Sequence, residues 1–142
     1  MAGTKGKTVE QLRRKVRVLI ADDHAMIRKI VHSTLEAHPH FEVVGEAENG
    51  AQAIEEAKKL KPDVVVLNIT MPVLNGFEAA REIKTILPQS AIVILSHNAD
   101  RRFVEEARKI GVRAYVAKSK AGEALVKTLE SAVLSNDFIL VE

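Results

Sequence analysis

Five times in succession, a short run rich in Val, Ile and Leu gives way to apolar residues spaced three and four apart. No other feature constrains this chain as much. The runs are Val16–Ala21, Phe41–Ala47, Val64–Leu67, Ala91–Leu95 and Val112–Ala117. They are strand-length and β-branched, and the spacing after each one predicts a helix. The helical faces are Ile27, Val31 and Leu35; Ala53, Ile54, Ala57 and Leu60; Phe77, Ala80 and Ile83; Phe103, Val104, Ala107 and Ile110; and Leu125, Leu129 and Ala132. Breaks fall between the units at His38-Pro39-His40, Asn49-Gly50, Lys61-Pro62, Asn75-Gly76, Leu87-Pro88 and Gly111. Repeated strand–helix units of this length imply parallel strands, right-handed crossovers and helices on both faces of one sheet.

In such a sheet, ligands and chemistry gather in the loops at the carboxyl edge. The stretch Pro62–Gly76 marks that edge most sharply. Its run Val64–Leu67 suits a strand buried on both faces, and polar Asn68 ends it, followed by a Met71-Pro72 loop and the Asn75-Gly76 turn. Asp22-Asp23 follows the first strand, Ser96 the fourth, and Lys118 the fifth. Taken singly these residues have ordinary readings: an acid capping the next helix, a strand-end serine, a solvated lysine. Adjacent carboxylates at a strand end also suit a hard cation such as Mg²⁺.

At 142 residues, with 46% hydrophobic content, the chain is the size of one domain. It has no cysteine, so disulfide and thiol chemistry are excluded. No apolar run approaches the roughly 20 residues that span a bilayer, and the start lacks the apolar centre of a secretory signal. A cytoplasmic protein without membrane contact is the expectation. The net charge of +2 is uneven: Lys5, Lys7, Arg13, Arg14 and Lys15 against Glu10 give the first fifteen residues +4, leaving −2 for the rest. Residues 1–14 are therefore expected to be a flexible basic leader, 15–136 the folded domain, and 137–142 a tail or truncated linker. The folded part is not a basic nucleic-acid surface.

The order of these motifs resembles the receiver domains of two-component response regulators, from about Val16 to Leu134. The Lys118-Ser119 pair looks more like receivers of the LuxR/NarL type, whose helix-turn-helix output domain is not expected within these 142 residues. The resemblance implies a single flavodoxin-like (βα)5 three-layer domain with a parallel five-stranded sheet in the order 2-1-3-4-5. It also implies roles for individual residues. Asp23 would ligate Mg²⁺ directly, Asp22 through water, and Thr70 through its carbonyl. Ser96 would contact a phosphoryl group, Tyr115 would report activation, and Lys118 would pair with the acids and then with phosphoryl. The family's phospho-accepting aspartate falls on position 68, which here is asparagine. An amide offers a neutral oxygen and a delocalised nitrogen lone pair, so it cannot replace a carboxylate nucleophile. Asn68 could still offer its carbonyl oxygen to Mg²⁺, with binding weakened by the missing charge.

The function expected is a phosphorelay signalling domain, not an enzyme, unable to accept phosphoryl at Asn68 and acting through protein contacts. A histidine kinase or another signalling protein is the expected partner, and a homodimer is left open. The resemblance places the partner surface on the fourth helix, fifth strand and fifth helix, or on the first helix around Met26 and Ile30. Two alternatives stand beside this reading. One is an engineered Asp-to-Asn form of an ordinary receiver, whether a stand-alone domain or a piece of a DNA-binding regulator. The other is a small flavodoxin-like enzyme using Asp22, Asp23 and Lys118, although the loop ADDH would repel a flavin phosphate. The five histidines show no compact ligand spacing, and only His24 and His97 fall near the carboxyl edge.

Overall fold

All five expected strand–helix units form, and a sixth strand follows them. The computed structural model describes residues 9, 12, 14–98 and 100–142. In chain order it contains β1 (Val16–Ala21), α1 (Ala25–Glu36), β2 (Phe41–Ala47), α2 (Gly50–Leu60), β3 (Val64–Leu67) and α3 (Gly76–Ile86). There follow β4 (Ala91–Ser96), α4 (Arg101–Ile110), β5 (Ala114–Ala117), a 3-10 turn at Lys118–Lys120, α5 (Ala121–Leu134) and β6 (Ile139–Val141). Neighbouring strands all run parallel, in the order β2-β1-β3-β4-β5-β6.

The expected five-stranded sheet is thus corrected to six strands. Ile139–Val141, expected in the tail, pairs with β5, and the Ile139 N–H donates to Arg113 O at 3.0 Å. The cause is an apolar run, Phe138–Val141, lying close in space to a strand edge whose backbone groups would otherwise stay unpaired. Of the expected leader, residues 1–8, 10, 11 and 13 lie outside the described residues. Val9 is fully buried in the core, and Arg14 pairs with Asp63 at 2.6 Å.

The sheet divides two apolar clusters. One packs Leu19, Val65, Leu67, Ile92, Ile94 and Tyr115 under α2, α3 and α4. The other packs Val18, Ile20, Val64, Val66, Val93 and Val116 under α1 and α5. Alternate residues of β1, β3 and β4 enter opposite clusters, which explains why these strands read as unbroken apolar runs. Tight helix starts hold the loops. Asn49 Oδ1 accepts from the Gln52 N–H at 2.8 Å, and Asn75 forms a reciprocal capping box with Glu78. Such caps contribute about 1 kcal/mol each.

Two glycines allow the close approach that shapes the carboxyl edge. A Cβ on Gly50 would lie 2.1 Å from Leu74 O, and one on Gly76 would lie 2.1 Å from Asn68 O. The loop between β3 and α3 therefore folds directly over Asn68. After β1 the chain builds outward to β2, then returns past β1 to β3, so the reversal of direction lies between β1 and β3. That is where a crevice opens in an open parallel sheet. Among the described residues no helix is long and apolar enough to cross a membrane.

Candidate functional site

β1 and β3 pair in register as far as Ala21 and Leu67, so Asp22 and Asn68 leave the sheet side by side. The Asn68 N–H donates to Ala21 O at 2.9 Å, and the Asp22 N–H to Ala47 O at 3.0 Å. Asp22 is only 2% exposed and Asn68 6%. A carboxylate buried this deeply needs a partner. Lys118, leaving β5, supplies it: its Nζ donates to Asp22 Oδ2 at 2.9 Å, and its side chain is 5% exposed. Asp22 Oδ1 accepts from the His24 N–H at 2.9 Å and lies 3.1 Å from His24 Nδ1. Arg28, one turn into α1, donates to the Asp22 carbonyl at 2.7 Å.

Asp23 is more open. Its Oδ1 lies 3.2 Å from His24 Nδ1 and accepts from Asn68 Nδ2 at 3.2 Å. The same Nδ2 donates to Thr70 O at 2.8 Å. Both neighbours are acceptors, which orients the Asn68 amide with its nitrogen inward. Among the described residues no buried side-chain polar atom lacks a partner.

Direct hydrogen bonds thus tie Lys118 to Asp22, and Asn68 to Asp23 and Thr70, with His24 Nδ1 lying between the two carboxylates. Ser96 and Tyr115 form a second group beside them. Ser96 Oγ accepts from the Asn98 N–H at 3.0 Å, and the Tyr115 phenol donates to Asn98 O. Burial pushes the Tyr115 phenol above its ordinary value, against an opposing hydrogen bond with Ser96.

The donor chemistry fits a hard cation. Asp22, Asp23 and His24 each present a ligand atom within 4.8 Å of the others. Asp23 Oδ1 and Thr70 O converge on one point, where they meet the Asn68 amide nitrogen. Two carboxylates and a carbonyl are oxygen ligands of the kind Mg²⁺ takes. The amide NH₂ and His24 compete for the same oxygens. A separate hollow of about 500 Å³ opens near Arg14, Asp63, Pro88 and Arg113 at the amino edge, away from these residues.

Sequence reasoning did not single out Arg28 or Asn98. The helical spacing from His24 to Arg28 carried the first signal, since i and i+4 share a helix face. Asn98 had only its position just past a strand end.

Comparison with known proteins agrees with the fold. Residues 18–130 match the response regulator receiver domain family. The chemotaxis protein CheY of Thermotoga maritima is 41% identical over 115 residues, covering 78% of this chain and 95% of that protein. The transcriptional regulatory protein DegU of Brevibacillus brevis is 33% identical over 125 residues, covering 88% of this chain and 53% of that one. This chain thus spans about half the length of that regulator. A crystal structure of a LuxR-family two-component response regulator from Aurantimonas sp. SI85-9A1 superposes with a TM-score of 0.82 at 30% identity, covering 88% of this chain and 89% of that one.

Proposed function

This chain belongs to the response regulator receiver domain family, and on that premise we propose that its phospho-acceptor position, Asn68, takes no phosphoryl group, so that it signals through protein contacts. It is a receiver domain of two-component signalling. One observation carries the finer reading. An amide stands at the strand end where Asp22, Asp23 and Lys118 converge, with its nitrogen turned towards Asp23 Oδ1 and Thr70 O.

A carboxylate at position 68 would attack the phosphorus of a phosphodonor and form an acyl phosphate as the donor's leaving group departs. The Asn68 amide has no anionic oxygen for that attack. Asp22, Asp23 and the Thr70 carbonyl would hold Mg²⁺, weakly, because one negative charge of the ligand set is missing. When bound, the ion neutralises phosphoryl oxygen charge. Lys118 holds Asp22 in place and stands within reach of an anion seated at the crevice. Ser96 supplies a hydroxyl on the other side. A histidine kinase, an output domain or another signalling protein is the proposed partner class, as befits a chain related to transcriptional regulators and chemotaxis proteins.

Intact-mass measurement after treatment with acetyl phosphate and Mg²⁺ tests the reading. The parent should gain no phosphoryl group, and Asn68→Asp should gain one. A phosphoryl adduct on the parent within residues 68–76 would overturn the inactive-site reading. No adduct on Asn68→Asp would overturn the assignment of position 68.

A further inference from the structure

The residues after α5 form a bridge as well as a strand. Ser135 leaves α5 in extended backbone, and Ile139–Val141 then run parallel to β5 with Leu140 opposite Tyr115. Side chains alternate along this segment. Phe138 packs into the cluster that holds Tyr115, Phe103 and Ile110, while Ile139 and Val141 pack into the cluster that holds Leu125 and Leu129. The Arg108 guanidinium of α4 stands 4.3 Å over the Phe138 ring. The segment therefore spans from α4 to α5 across the outer edge of β5.

Beneath it, Tyr115 is 0% exposed. A line of contacts runs from Ser96 through Asn98 to Tyr115, and from Tyr115 to the paired strand β6. Yet β6 is only three residues long, half-buried at Ile139 and Val141 and exposed at Leu140. A short, half-exposed edge strand is the kind of element that opens locally while the rest of a fold stays intact.

We propose that the outer edge of β5, between α4 and α5, is an acceptor site for an extended apolar strand, filled here by the chain's own segment 138–141, which locks Tyr115 inward. The site has a readable preference. Arg108 favours an aromatic residue at the first position through its cation–π contact. The α5 side takes apolar side chains at the second and fourth positions, and the backbone of β5 supplies the pairing. A partner that docks on this edge with an extended segment must displace 138–141, and displacement releases the cover over Tyr115. The receiver reading gives the lock its meaning, through Ser96. The lock itself rests on packing and pairing alone.

The chain has one tyrosine and no tryptophan, so tyrosine emission reads Tyr115 alone. In the full chain, Ile139→Pro removes the N–H that donates to Arg113 O and disrupts the pairing. Glu142→Gln alters an exposed side chain just past β6 and leaves the pairing intact. Ile139→Pro should raise iodide quenching of the tyrosine several-fold and bring the phenol's titration midpoint down towards about 10. Glu142→Gln should match the parent. A synthetic peptide of residues 135–142, added in excess, should restore parent-like quenching to Ile139→Pro, and the same peptide with Phe138→Ala should not. Unchanged quenching in folded Ile139→Pro, or no effect of the peptide, overturns the proposal. If Ile139→Pro does not fold, amide exchange on the parent decides. The Ile139 amide should exchange at least about 100-fold faster than those of Val93 and Ile94, and equal protection overturns the lock. These outcomes are independent of the acetyl phosphate experiment, so either reading can fail alone.

Discussion

Asn68→Asp should lower stability by about 3 kcal/mol at pH 7 without Mg²⁺, and the site explains that size. In the parent, the amide nitrogen donates to Asp23 Oδ1 at 3.2 Å and to Thr70 O at 2.8 Å. The substitution turns both donations into contacts between acceptors. Losing a hydrogen bond to a carboxylate costs about 1.5–3 kcal/mol, and losing a neutral one about 1 kcal/mol. Two carboxylates about 3 Å apart repel by about 5 kcal/mol at an effective dielectric constant of 20. Protonation sets a ceiling below that sum. Holding a carboxyl of ordinary pKa near 3.9 protonated at pH 7 costs about 4 kcal/mol, and its O–H then restores one hydrogen bond. Lys118, already seated on Asp22, offsets part of the remainder.

The pH dependence has a definite sign. The fold raises the new carboxyl above its unfolded value, so the charge-dependent part of the penalty is absent below about pH 4. It then grows by about 1.4 kcal/mol per pH unit and levels off above the folded value. Urea midpoints of parent and variant at pH 4 and pH 7 measure the gap. If Mg²⁺ binds the folded variant with Kd about 1 mM, about 10 mM of it should recover about 1.4 kcal/mol. A gap under about 1 kcal/mol at pH 7, or one that widens on acidification, would refute this account of the site.

Val73 lies beside the crevice with φ 69° and is 80% exposed, a left-handed conformation in which a β-branched side chain is strained. Val73→Asn should add about 1 kcal/mol and raise Tm by about 3–6 °C, and a fall in Tm would contradict the strain. Gly76→Ala drives a Cβ to within 2.1 Å of Asn68 O. It should cost more than about 2 kcal/mol and shift the Asn68 side-chain amide resonances; an NMR spectrum unchanged at Asn68 would count against the packing. At the amino edge, burial raises the Asp63 carboxyl, but hydrogen bonds from Arg14 and the Arg17 N–H outweigh it and hold the group below its usual value. Its stabilisation is present above about pH 3.9 and lost as pH falls through the folded value. Asp63→Asn should therefore flatten the parent's stability loss in that acid range, read as denaturant midpoints, and an unaltered acid profile would argue against the pairing.

Much of this molecule is legible in one dimension. Strand and helix periodicity are local properties, so Val64–Leu67 and the Ile27, Val31, Leu35 face declare themselves without their neighbours. The break after Leu67 and the acids after Ala21 also mark strand ends, and a parallel sheet puts all such ends on one edge. The identity of Asn68, and with it the loss of an anionic nucleophile, needs no structure at all. Pairing is a different matter. Lys118 meets Asp22 across 96 residues, and nothing near either residue specifies the other. Ile139–Val141 is too short to separate strand from tail by pattern; it becomes a strand because β5 presents an unpaired edge between α4 and α5. Arg28 and the inward amide of Asn68 likewise take their roles from backbone carbonyls, and Asn98 O takes its role from the Tyr115 hydroxyl that donates to it. Sequence determined the five strand–helix units and where the chemistry collects. Only tertiary structure decided which groups satisfy one another there, because burial makes each polar atom find a partner wherever the fold brings one.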